Sequence, residues 1–125
     1  MIKFNDAIYT LLVANTGLTA IIGTKVYPLV LPEDVKVPAV VIDRSSNALY
    51  SKDGTYGFLN TVNIAVISDS YNESINIAEK IDGILNFYHG TVSGIKIISS
   101  KIINISENYN EEGYFQKLTY EMKNY

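Results

Sequence analysis

The chain has 125 residues with 10 lysines and arginines against 13 aspartates and glutamates, a formal charge of −3, and no cysteine. That length suits one domain whose core needs neither metal nor disulfide. The missing thiols exclude disulfides, thiolate nucleophiles and cysteine metal sites, and a weakly acidic chain whose only arginine is Arg44 lacks the basic footprint of a nucleic-acid reader. The longest apolar runs fall well short of the roughly 20 residues that span a bilayer. The Lys3, Asn5, Asp6 start carries no charged n-region and apolar h-region of a secretory leader. The expectation is therefore a soluble, untargeted protein, with no membrane contact, whose partners are proteins.

Phe4, Ile8, Leu11 and Leu12 recur at helical spacing and predict a first helix. Asn5 is its candidate N-cap, with Phe4 and Tyr9 as a hydrophobic staple, unless the helix begins a turn earlier. Asn15-Thr16-Gly17 supplies a stop. A short helix then ends at Gly23, which follows Ile21 and Ile22 and tolerates positive φ. Val26-Tyr27 reads as a strand, and Pro28, lacking an N–H, places it at a sheet edge or near its own end. Pro32-Glu33-Asp34 turns the chain. Pro38 extends Val37, and the run Ala39-Val40-Val41-Ile42 suits a strand covered on both faces.

Lys52-Asp53-Gly54 predicts a tight hairpin turn, with Asp-Gly able to take positive φ at both central positions. Beyond it Val62, Ile64 and Val66 share one strand face, the core side, and Thr61, Asn63 and Ala65 the other. Ser70-Tyr71-Asn72-Glu73 fits a capping box and starts a longer helix. Its apolar side runs through Ile75, Ala78, Ile81, Leu85 and Tyr88, widened by Ile77 and Ile84. Gly83 weakens the middle, and His89-Gly90 is the expected stop, with the histidine at the negative end of the helix dipole. Ile95, Ile97, Ile103 and Ile105 alternate with Ile98 and Ile102, which implies a strand covered in part on both faces. The polar stretch Ser106 to Gly113 reads as the link to a last strand carrying Leu118, Tyr120 and Met122 on one side. Together these elements predict an α+β domain. A mainly antiparallel twisted sheet of about five strands is packed by the N-terminal helix and one longer helix, and two β-hairpins protrude. The crossover helix leaves room for one parallel pair.

The residues Leu18, Gly23, Val26-Tyr27, Pro32, Pro38-Ala39-Val40-Val41, Ala65-Val66, Tyr71 and Ile77-Ala78-Glu79 form a pattern that resembles the tail-completion, or tail-terminator, proteins of long-tailed bacteriophages. The resemblance spans most of the chain and rests on small, apolar and turn residues, with no reactive signature. Lys25 departs from it, standing where members of that family often carry arginine, and a flexible ammonium does not replace a bidentate guanidinium. The resemblance implies a structural virion protein, made in the bacterial cytoplasm, that closes into a ring, a hexamer when assembled. That ring terminates the tail tube and joins it to the head connector. It further implies as partners the chain itself, the tail tube protein and the neck proteins, with DNA passing through the lumen without specific binding.

The search for chemistry is nearly empty. His89 is the only histidine, and nothing in its spacing suggests a serine and carboxylate beside it. Asp69, Glu73 and Asp82 are scattered in the manner of solvated helix faces rather than a general acid–base pair. Gly54 and Gly57 flank a turn and do not open a helix after a strand, as a phosphate loop would. The run from Ser106 to Gly113 is too short and wrongly spaced for an EF-hand loop. No catalytic residue, metal or cofactor is expected. The candidate contacts are instead at the hairpins: Tyr50, Lys52, Asp53 and Tyr56 on the first, Glu107, Tyr109, Glu111 and Glu112 on the second. Tyrosine is abundant, ten residues in all, and buries area while keeping a polar tip, which favours interfaces as well as strands. Acidic tips repel a DNA backbone. Two rivals stay open: another neck or connector ring subunit, and, more distantly, a small enzyme or ligand-binding module.

Overall fold

The computed structural model describes residues 2–125. In chain order its elements are α1 (Phe4–Val13), α2 (Thr16–Ile22), β1 (Val26–Pro28), β2 (Ala39–Ser51), β3 (Gly54–Ser68), α3 (Tyr71–Leu85), β4 (Gly90–Val92), β5 (Ile95–Asn110) and β6 (Gly113–Asn124). They build one sheet in the order β1-β2-β3-β6-β5-β4, an α+β architecture with six strands rather than about five. The additional strand is β4, whose three residues after a glycine carry too short a pattern to declare a strand. The single parallel pair is β1 with β2, joined by a loop, not a pair made by the crossover helix, because β6 lies between β3 and β5.

The core lies between the helices and one face of the sheet. Phe4, Ala7, Ile8 and Leu12 of α1, Leu18 and Ile22 of α2, and Ile77, Ala78, Ile81 and Leu85 of α3 pack on Val40, Ile42, Val62, Ile64, Val66, Leu118, Tyr120 and Met122. Each fully buried aliphatic side chain contributes roughly 1.5–3 kcal/mol. Val62, Ile64 and Val66 take the core side as the alternation predicts, while Val41 on the other face is only half-buried, so β2 is not fully covered on both sides. Pro28 sits on an edge strand, where its missing N–H harms no ladder.

Helix boundaries follow local hydrogen bonding. α1 begins at Phe4 with Asn5 already inside it, and ends at Val13. Asn15 is not its stop but the N-cap of α2, accepting from the Leu18 N–H at 2.9 Å. Gly23 closes α2 at φ 63°. Ser70 caps α3 as the motif predicts, accepting from the Glu73 N–H at 3.3 Å. The return half of the box runs through a third residue. Glu73 accepts from the Ser68 hydroxyl at 2.6 Å, and Ser68 Oγ accepts from the Ser70 N–H at 3.1 Å. The buried stripe of α3 is Ser74, Ile77, Ala78, Ile81 and Leu85, so Ile75 and Ile84 are its margins. The helix ends at Leu85, four residues before His89, because the Ser100 hydroxyl donates to the Leu85 carbonyl at 2.6 Å and Asn86 turns away to accept from the Ile102 N–H at 3.0 Å. His89 is exposed and lies beyond the helix.

Two bulges explain the mixed isoleucine pattern of β5. The register shifts between Ile97 and Ser99 and again between Ile102 and Asn104. The core-facing parity therefore passes from Ile95 and Ile97 to Ser100 and Ile102, then back to Ile105, Glu107 and Tyr109. Past the second bulge the strand outruns the helices, leaving Ile103 and Ile105 at 49% and 63% exposure. The polar stretch that reads as a link is strand to Asn110, and only Glu111 and Glu112 make the turn. At the other hairpin Lys52 and Asp53 are the turn and Gly54 alone takes positive φ, 121°, so both central positions are ordinary backbone.

Register is pinned by a buried amide. Asn60 donates to the Met122 carbonyl at 3.0 Å and to Asn124 Oδ1 at 2.8 Å, and accepts from the Ser46 hydroxyl at 2.6 Å, tying β2, β3 and β6 together. Gly113 is required where β6 begins, since a Cβ there would sit 2.6 Å from the Ser68 carbonyl oxygen. Tyr120 is fully buried and donates to Asp82 Oδ1 at 2.7 Å. Burial and the Asp82 carboxylate push the Tyr120 phenol far above its usual range.

Tyr120→Phe removes the donor and leaves Asp82 without it, so it should lower stability by about 1.5–3 kcal/mol in urea unfolding, as befits a hydrogen bond to a charged group. Gly83→Ala should act oppositely. The new Cβ meets nothing within 4 Å, and the helix interior should gain about 0.8–1 kcal/mol.

Candidate interaction site

The register of the long strands places the two hairpin tips at opposite ends of the sheet. Phe58, close to the first tip, pairs with Asn124, whereas Ser68, at the other end of β3, pairs with Tyr114 beside the second tip. The 15 residues of β3 between them span roughly 45–50 Å at about 3.3 Å per residue. The eight candidate residues thus form two surfaces, not one.

At the first tip Lys52 and Asp53 occupy the turn and Tyr50 is 72% exposed. The Ser51 hydroxyl accepts from the Asp53 N–H and donates to the Gly54 carbonyl, each at 3.3 Å, which stiffens the turn. Tyr56 is the residue that bulges out of β3 opposite Leu49 and Tyr50. Its ring lies 6.3 Å from that of Tyr125, and the Lys123 ammonium stands 5.8 Å from its centroid. Tyr56 is accordingly occupied within the chain, and Tyr50 and Lys52 are the outward groups.

At the second tip Glu107 is drawn into a polar and aromatic cluster. It accepts from the Tyr71 hydroxyl at 2.9 Å and from Gln116 Nε2 at 2.9 Å. These two donors, Gln116 first, hold the Glu107 carboxyl below its usual range, and the same carboxylate raises the Tyr71 phenol. Tyr114 lies between Tyr71 and Tyr109, with ring centroids 5.8 and 4.7 Å away. Tyr71, Glu107, Asn108, Tyr109 and Tyr114 together line a shallow cleft of about 270 Å³. Glu111 and Glu112 form the exposed turn beyond it, where the Glu112 N–H donates to Asn110 Oδ1 at 2.8 Å. Sequence reasoning missed Tyr71 and Gln116 as members. Gln116 carried a signal, being a polar residue in phase with core-facing Leu118, Tyr120 and Met122; Tyr71 carried none, because its partner is 36 positions away.

Elsewhere the chemistry is sparse. His89 lines a cleft with Gly90, Thr91, Lys96, Ile97 and Ile98, among which there is neither serine nor carboxylate. Among the described residues no group of three or more His, Asp or Glu could hold a metal ion, and no helix is long and apolar enough to cross a membrane.

No protein-family model matches the chain, and no curated protein matches it. Among solved structures its fold is similar to that of a chain in the virion of a native gene transfer agent particle. The TM-score is 0.82 with 20% sequence identity, covering 95% of this chain and 92% of that one. The correspondence thus extends over nearly the whole length of both chains.

Gln116→Leu or Tyr71→Phe removes a donor from Glu107, so each should raise its titration midpoint toward the ordinary carboxylate value, read by carboxyl-carbon NMR. Because the folded value is depressed, the contribution of Glu107 is present above its unfolded pKa and is lost as pH falls through the folded one.

Proposed function

We propose that this chain is a structural subunit of a phage or phage-like virion that forms a ring completing the tail tube and joining it to the head connector. The observation that carries the reading is the match, over nearly the whole length of both chains, to a protein of a gene transfer agent virion. The resemblance of the 21–43 segment and the α3 residues to tail-completion proteins supports the finer role. The geometry is compatible with it. A closed ring uses heterologous contacts, in which one patch meets a different patch on the next copy, and the two tips lie at opposite ends of the sheet. A stable contact of that kind buries about 800 Å² per partner. In this reading Tyr50, Lys52, Asp53, Tyr56, Glu107, Tyr109, Glu111 and Glu112 are interface or lumen positions. The acidic turn Glu111-Glu112 keeps DNA from adhering as it passes. The protein then acts by position and needs no catalysis.

Particles from cells lacking the gene should carry tails of aberrant length or tails detached from heads in negative-stain images. Antibody labelling of complete virions should mark the junction of head and tail. A deletion of residues 50–56 should fold yet fail to restore joined particles. Normal particles without the gene would overturn the reading, and label confined to another ring would favour a different neck subunit.

A further inference from the structure

Both edges of the sheet are left largely open. β1 covers only Val40 to Ile42 of β2, and β4 covers only Ile95 to Ile97 of β5. Of the remainder, Ser100 and Ile102 of β5 bond outward to the Phe87 N–H and to Asn86 Oδ1, while Asp43 to Ser51 of β2 and Ile103 to Asn110 of β5 have no strand neighbour on the outer side among the described residues. Such edges are templates for pairing, and proteins that stay monomeric normally shorten, charge or cover them.

The direction of the free groups can be assigned. On β2 the Val40 N–H donates to Lys25 O and the Ile42 carbonyl accepts from Leu29 N, so these even-numbered residues face outward. Alternation carries that orientation to Arg44, Ser46, Ala48 and Tyr50. On β5, Asn110 and Gly113 flank a two-residue turn and bond to each other, so Tyr109, Glu107 and Ile105 face outward.

We infer that the outer edge of β2 in one copy pairs antiparallel with the outer edge of β5 in the next, so that the sheets of successive copies become continuous. This rests on the ring reading above for closure but not for the pairing itself. Four features of the chain select a second copy as the occupant. The two edges are of matched length. β2 and β5 run in opposite directions within the sheet, so a neighbour with the same strand orientation presents β2 antiparallel to β5. Full overlap sets Arg44 opposite Tyr109, Ser46 opposite Glu107 and Ala48 opposite Ile105. That register sets Arg44, whose guanidinium donates within its own chain to Ser46 Oγ at 3.2 Å and to the Ile2 carbonyl at 2.8 Å, beside an aromatic ring with a carboxylate on the diagonal, and covers the exposed Ile105 with an apolar partner.

The fourth feature is the stagger. Within one sheet Ser46 is level with Asn60, Met122 and Ser100, so pairing Ser46 with Glu107 displaces the next copy by the six steps from Met122 to Gln116. Six steps are roughly 20 Å, and the four long strands are roughly 19 Å wide at about 4.8 Å each. The strands then tilt by roughly 45° from the ring axis, within the range at which sheets close on themselves. An open edge at the same end of both strands would not give that tilt.

The chain has no cysteine, which makes the test direct. In the inferred register Ala48 and Ile105 of adjacent copies form a hydrogen-bonded pair with Cα atoms about 5.5 Å apart, a separation a disulfide bridges. Mixing singly substituted Ala48→Cys and Ile105→Cys proteins under mild oxidation should give covalent heterodimers, and the doubly substituted chain a ladder ending at one closed species. Ser46→Cys with Glu107→Cys tests the next rung. Ala48→Cys with Asn104→Cys, whose side chain lies on the opposite face, should not link. Oxidation is done on the concentrated purified chain and on assembled particles. No linking in either, or equal linking with Asn104→Cys, overturns the pairing. Protein present in particles but unlinked overturns the pairing and spares the virion role; protein that links in solution but is absent from particles does the reverse.

Discussion

Burial of one sheet face under three helices, with the opposite face covered only locally, as at Ala39 and Ile67, is the constraint from which the rest of the molecule follows. The apolar side chains available in 125 residues suffice to seal Val62, Ile64, Val66, Leu118, Tyr120 and Met122 against α1, α2 and α3. They do not suffice to cover the strands over their whole length. Where β2 and β5 run past the helices, side chains of both faces meet solvent, and the sequence turns largely polar or aromatic, with Ile103 and Ile105 as exposed exceptions. The hairpins are thus the unsealed ends of the same strands that make the core, and they inherit its rigidity. A tip held by a continuous ladder can present Tyr50 or Tyr109 at small entropic cost.

Polar groups inside this core act as alignment devices. A slip by one residue would invert every side chain of a strand. Asn60 guards against it by satisfying its amide only when Ser46, Met122 and Asn124 are all in place. Tyr120 and Asp82 do the same between sheet and helix, since the phenol reaches its acceptor only when α3 lies at one position along the sheet. Half-satisfied buried polar groups are costly, so these contacts discriminate between registers more than they add to overall stability.

Much of the fold was legible because local chemistry and tertiary packing agree. The Ser70 cap, the Gly23 stop, the edge placement of Pro28 and the alternation of Val62, Ile64 and Val66 each rest on a rule that operates within a few residues. The misreadings arise where distant partners decide. α3 stops at Leu85 rather than His89 because Ser100, 15 residues on, takes the last carbonyl. β5 reads as covered on both faces because two bulges change its parity, and a bulge has no strong local signature. Its polar half reads as a link because a strand that escapes the core loses the hydrophobic signal by which strands are recognised. At the tips the residue types were legible, but the separation of the tips and the capture of Glu107 by Tyr71 and Gln116 were not, being products of strand order.

That strand order also bears on how the chain acquires its structure. β6, the last strand in chain order, occupies the middle of the sheet, flanked by β3 and β5. As the polypeptide is synthesised, the earlier hairpin and the three helices exist with an apolar surface that nothing yet completes. The ladder between β3 and β6 closes a loop of some fifty residues, an ordering step that is entropically slow. A nascent subunit therefore passes through a sticky interval, and it acquires competent edges only after its final strand has inserted. For the edge pairing inferred above, assembly would thereby be timed by folding, since an unfinished chain offers no correctly aligned edge to a neighbour.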